Sequence, residues 1–222
     1  PLPVLYVSTV DSGNLAGHLL TLRGGLLGLA DEAILTARLF AGLGDTLGLL
    51  ADSVDGADAG SAAAFRKNLE AAAAAPPATI EAMRLVLLRL LAGSGELLAG
   101  TAAQLKSRDE MLPENEANEW ALALASQLDD ALAELEQLTP WLTMPPAPDG
   151  LEEFARMAAE LDMPTLRGVA RLEAELCPAI DLQLAAEMTP VQCEWLAELR
   201  RLIVAGSSEG YRRIGRIDAL GG

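Results

Sequence analysis

PENEANEWALALASQLDDALAELEQL, residues 113–138, decides the fold. Ala117, Trp120, Ala121, Leu124, Leu128, Leu132, Leu135 and Leu138 recur at three- and four-residue steps, so they share one side of a helix. Asp129, Asp130, Glu134 and Glu136 fall mostly elsewhere. A stripe this regular is the mark of a core or bundle face, and the same period can be followed outward in both directions.

Toward the C-terminus, residues 139–148 form a Pro-rich connection. Asp149-Gly-Leu-Glu152 reads as a capping box that starts a helix through Leu161. Asp162 and Pro164 start another, ending near Cys177-Pro178. Thr189-Pro-Val-Gln192 is a capping box with Pro at the first helical position. It opens a long final helix carrying Trp195, Leu196, Leu199, Leu202 and Ile203, with Gly206-Ser-Ser-Glu-Gly210 as a candidate break. The basic Tyr211–Arg216 stretch reverses the local charge, and salt pairing with acidic neighbours is favoured over phosphate binding.

Toward the N-terminus, Thr79 caps a helix with Ile80, Met83, Leu87, Leu90 and Leu91. Gly93-Ser-Gly95 is expected to interrupt or kink it before it resumes through Leu105. A helix over 61–74 stops at Pro76-Pro77, and 52–60 is a loop. A first helical block spans about Asn14 to Ala51, with a stripe of Leu19, Leu22, Leu26 and Leu29. Asp31 is a candidate cap for its second helix. Residues 4–10 alternate and carry β-branched side chains, so they form the only expected extended piece, followed by turn and N-cap chemistry at Asp11-Ser-Gly-Asn14. The expectation is one all-α domain over 1–222, an antiparallel bundle of about seven to nine helices.

Composition agrees. At 222 residues the chain can bury a substantial core. Apolar residues make up 51% and aromatics only 4%, and Ala and Leu favour helix. A net charge of −16 makes nucleic acid and anionic membrane surfaces poor partners. Two cysteines are too few for a disulfide framework. No signal peptide is expected, and the apolar run Leu85–Ala92 is too short for a membrane span and is flanked or broken by Arg84 and Arg89.

The chemistry of catalysis is hard to find. A glycosidase needs two carboxyl groups about 5–10 Å apart across a sugar. The pairs Asp129-Asp130 and Glu152-Glu153 read instead as solvated helix faces. His18 is the only histidine, so a zinc site is not expected, and no cofactor is. Ser12, His18 and Asp11 are too close in sequence for a triad. Tyr6, Ser8, Asp11, Ser12, Asn14 and His18 crowd polar groups around an expected helix start, where free backbone N–H groups and short side chains can hold a polyhydroxyl ligand. The capped helix start is the competing reading. Tyr6 and Trp141 are candidates to stack on sugar rings or to act as packing anchors.

Tyr6-Val-Ser-Thr-Val-Asp-Ser-Gly-Asn-Leu-Ala-Gly-His-Leu19 closely resembles a segment in the glycoamylase-like domain of bacterial cyclic β-1,2-glucan synthases. A weaker resemblance covers Cys193-Glu-Trp-Leu196 through Ala219-Leu-Gly-Gly222. The resemblance implies a piece of a helical (α/α) toroid inside a very large membrane enzyme. In that family an aromatic segment precedes this stretch and an acidic, aromatic region follows, neither of them in this sequence. The implied role is scaffold and substrate contact in glucan transglycosylation, with Tyr6, Ser8, Asp11, Ser12, Asn14 and His18 touching sugar and no catalytic residue assigned. The implied partners are β-1,2-glucan and the other domains of the same polypeptide, without nucleic acid or direct membrane contact. This region is expected to be soluble, on the cytoplasmic side of a bacterial inner membrane, and inactive by itself. The alternative is a non-catalytic acidic helical module for interdomain or protein–protein contacts.

Overall fold

A computed structural model describes residues 9–53, 61–107 and 116–221. Among them the chain is all-α. Eight α-helices run in order: α1 Thr9–Gly28, α2 Ala37–Ser53, α3 Ser61–Ala74, α4 Ile80–Ser107, α5 Glu116–Leu138, α6 Glu152–Ala159, α7 Leu166–Leu184 and α8 Pro190–Gly221. A 3-10 turn, Pro140–Thr143, follows α5.

Four helices close a ring. α2 packs on α3, α3 on α4, α4 on α5, and α5 returns beside α2. The stripe on α5 is the wall they share: Ala117, Ala121, Leu124, Leu128, Leu132, Leu135 and Leu138 are all buried. Facing it are Phe40, Leu43, Leu47 and Leu50 of α2 and Ile80, Met83, Leu87 and Leu90 of α4. The segment Ile80–Ala103 is long and apolar enough to cross a membrane by length and composition, contrary to expectation. Its buried side, 28% of that apolar stretch, faces α3 and α5, and Arg84 pairs with Glu136 of α5 at 2.9 Å.

α7 and α8 form a long hairpin beside the ring, joined to it through α5 and the 3-10 turn. Two short backbone clamps tie the halves together. Ile34 N–H donates to Pro164 O and Arg167 N–H to Ala30 O. Ile80 N–H donates to Leu161 O and Met163 N–H to Ala78 O.

Several boundaries differ from the sequence reading. Thr79 and Thr189 do cap α4 and α8: Thr79 Oγ1 accepts from Ala82 N–H, and Gln192 closes a reciprocal box with Thr189. Asp149, however, is not a cap. Leu151 precedes α6 without a side-chain bond, and Glu152 turns back to Gly150 N–H, where φ is +87°. α7 starts after Thr165, whose hydroxyl accepts from Gly168 N–H, rather than at Asp162. It also runs through Pro178 to Leu184. Asp31 caps nothing; its carboxylate accepts from Arg167 Nε at 2.9 Å, and α2 begins after Thr36.

Neither glycine-rich stretch breaks its helix; Gly93, Gly206 and Gly210 stand at close approaches, whereas a Cβ on Gly95 would meet nothing within 4 Å. A Cβ on Gly93 would lie 3.1 Å from the Phe65 ring. On α8, a Cβ on Gly206 would lie 2.6 Å from Leu138 O, and one on Gly210 2.9 Å from Ala170 N. Glycine costs about 1 kcal/mol in a helix against alanine, and here close helix approach offsets that.

Candidate functional site

The polar cluster near the N-terminus does not sit on a turn. α1 begins at Thr9, so Asp11-Ser-Gly-Asn14 lies inside its first two turns and Thr9-Val10 is helical rather than extended. The physical reason is propagation: once Leu15 onward is helical, each added residue gains one backbone bond, and no proline lies between Thr9 and Asn14. Tyr6 and Ser8 lie outside the described residues, as does the side chain of Asp11. Ser12, Asn14 and His18 are exposed. Asn14 and His18, four apart, share one helix face.

α1 is unusual in what surrounds it. Residues 12–25 are exposed on every side, although Leu15, Leu19, Leu20 and Leu22 are among them. Leu20 is 69% exposed and Leu15 60%. The expected stripe of Leu19, Leu22, Leu26 and Leu29 is therefore mostly uncovered. Its last turns are held against α8: Leu27 packs on Gly221, and Arg23 donates to the Gly221 carbonyl at the end of α8. α8 has no basic residue in its own last turn, so Arg23 supplies the cation that a helix C-terminus favours.

A cleft of about 730 Å3 opens where the 29–36 connection, α2, α5 and the last third of α8 meet. Ile34, Leu35, Leu39, Leu166 and Ile217 give it an apolar lining. Arg38, Arg212, Arg213 and Arg216 also line it, with Glu32, Glu134 and Gln137. None of Ser12, Asn14 and His18 is part of its lining. Arg213 is fixed by Glu134, by Glu209 at 2.7 Å and by Gln137 at 2.8 Å. Arg212 is bidentate with Glu209. The hydrogen bond from Arg212, then that from Arg213, holds the Glu209 carboxyl down at about 2, against burial that would raise it. The expected salt pairing of the basic stretch is thus present at Arg212 and Arg213. Arg38 and Arg216 are exposed, and among the described residues their guanidinium groups meet no carboxylate. In the sequence this convergence is signalled only by Tyr211–Arg216, because Arg38 is far away along the chain.

Elsewhere the polar groups are structural. Trp141 is buried, and its Nε1–H donates to Ala158 O at 2.8 Å, so it anchors the 3-10 turn. Asp181 and Glu198 are held below the ordinary carboxylate range by hydrogen bonds from Arg200 and Arg201. Burial pushes the Cys177 thiol up. Among the described residues no group of His, Cys, Asp and Glu is arranged to hold a metal ion.

Compared with models of protein families, with curated proteins and with solved structures, the chain matches none.

Proposed function

We propose that this chain is a helical scaffold within the glycoamylase-like, transglycosylating region of an enzyme that makes cyclic β-1,2-glucan. α1 reaches from the bundle into the rest of that polypeptide and contributes sugar contacts. The observation that carries the reading is that two properties coincide on one helix. Residues 6–19 hold the segment that resembles the glucan synthases, and residues 12–25 form a leucine-rich helix exposed on all sides. Large apolar side chains clustered on an exposed surface ordinarily mark a contact with a partner. Asn14 and His18 offer an amide and an imidazole on one face, suited to hydroxyl groups. Carboxylates held low by arginines, such as Asp181 and Glu198, behave as ion-pair anchors rather than proton donors. The resemblance assigns no catalytic residue to this chain.

A second reading is an acidic helical module whose α1 makes interdomain contacts without touching sugar. The four exposed leucines favour it. Alanine at Asn14 and His18, in the enzyme that contains this region, separates the two. Both positions are exposed, so the melting temperature should hold, since such surface changes stay within about 0.5 kcal/mol. Under the first reading cyclic glucan formed per folded molecule drops at least tenfold. Unchanged product formation, with activity lost only in Leu19→Asp, would favour the second.

A further inference from the structure

The cleft between the 29–36 connection, α2, α5 and α8 gathers four of the sixteen basic residues of a chain that carries a net charge of −16. Two of the four are spoken for. Glu209 and Glu134 neutralise Arg212 and Arg213 and fix them in place. Arg38 and Arg216 approach from α2 and α8 without a carboxylate of their own among the described residues, and Glu32 is the one remaining acid in the lining. Behind them Leu35, Leu39 and Ile217 give apolar surface. The volume of about 730 Å3 falls in the range of about 300–1,000 Å3 typical of small-molecule sites, which are mostly apolar with a few placed polar groups.

We propose that this cleft binds a small organic phosphate, with Arg38 and Arg216 holding the phosphoryl oxygens and the leucine and isoleucine side chains covering the organic part. Guanidinium groups present donors in a planar fork that matches phosphate oxygens, and two of them suit a dianion better than one charge. Arg212 and Arg213, already neutralised by carboxylates, contribute a rigid wall. The site is separate from the polar cluster on α1 and does not depend on the glucan reading. Because Arg38 and Arg216 are exposed and make no ion pair among the described residues, replacing them leaves the core and its ion pairs there intact.

Titration calorimetry with hexyl phosphate, inorganic phosphate and hexanol at neutral pH tests the proposal. Hexyl phosphate should bind at least tenfold more tightly than either half-ligand and weaken as salt is raised. The double variant Arg38→Gln, Arg216→Gln should lose at least tenfold in affinity with an unchanged circular dichroism spectrum and melting temperature. Arg200→Gln, which breaks only the pair with Asp181, should bind as the parent does. Hexyl phosphate binding no better than phosphate or hexanol would overturn the proposal, as would full affinity in the double variant.

Discussion

Ser207 of α8 is inserted at one rung of α7: its hydroxyl donates to Val169 O at 3.0 Å and accepts from Glu173 N–H at 2.9 Å. Val169 and Glu173 are four apart, the spacing of an intrahelical bond, so one buried side chain serves both ends of a rung. With Gly206 and Gly210 on either side, Ser207 lets α8 lie directly against the backbone of its neighbours.

Ser207 is fully buried, which makes its replacement by valine costly. The added methyl has no room, and overpacking costs about 1–3 kcal/mol. Ser207→Ala should cost less, because Glu173 N–H can return to Val169 O. Chemical denaturation of both variants checks the order; valine tolerated better than alanine would contradict it.

Glycine to alanine should change sign along α8. At Gly215 a Cβ meets nothing within 4 Å, so alanine should stabilise by about 0.5–1 kcal/mol. At Gly206 and Gly210 the same change drives a methyl into backbone atoms and should destabilise by about 1–3 kcal/mol or more. Melting temperatures of the three single variants decide it.

Leu128 sits at the centre of the α5 wall and is fully buried. Leu128→Ala should cost about 2–5 kcal/mol, transfer and cavity together. An unchanged denaturation midpoint would mean that this face of α5 is not the core.

Glu209 links stability to acid. Its carboxyl sits at about 2 in the folded chain against an ordinary 4.5, so the unfolded chain binds the proton first as pH falls. The contribution is complete above about 4.5 and is lost as pH drops toward 2. The difference in melting temperature between the parent and Glu209→Gln should therefore shrink across that window. A difference that stays constant from neutral pH to pH 2 would show that the Arg212 and Arg213 bonds do not act through this charge.

The all-α class and the α5 wall were readable because a helical period is written locally in side-chain size. The caps at Thr79 and Thr189 were readable for the same reason: each uses partners within three residues. What escaped depends on distant chain. Gly206, Ser207 and Gly210 look like a break until Leu138 O, Val169 O and Ala170 N are known to lie against them. Asp31 looks like a cap until Arg167, far along the chain, claims it. Asp11–Asn14 looks like a turn because its residues favour caps, but nothing there stops α1 from extending back to Thr9. The cleft could not be foreseen from Tyr211–Arg216 alone, since Arg38 and the 29–36 connection complete it.

Under the function proposed above, α1 is an arm to be covered by the rest of a larger glucan-processing polypeptide. Hydrogen exchange of backbone amides 12–25 tests it, measured in this chain alone and in the enzyme that contains it. A helix with few packing neighbours opens easily, so these amides should exchange quickly in the isolated chain while those around Leu128 stay protected. In the enzyme they should slow at least a hundredfold. Equal exchange of residues 12–25 in both settings would contradict the account.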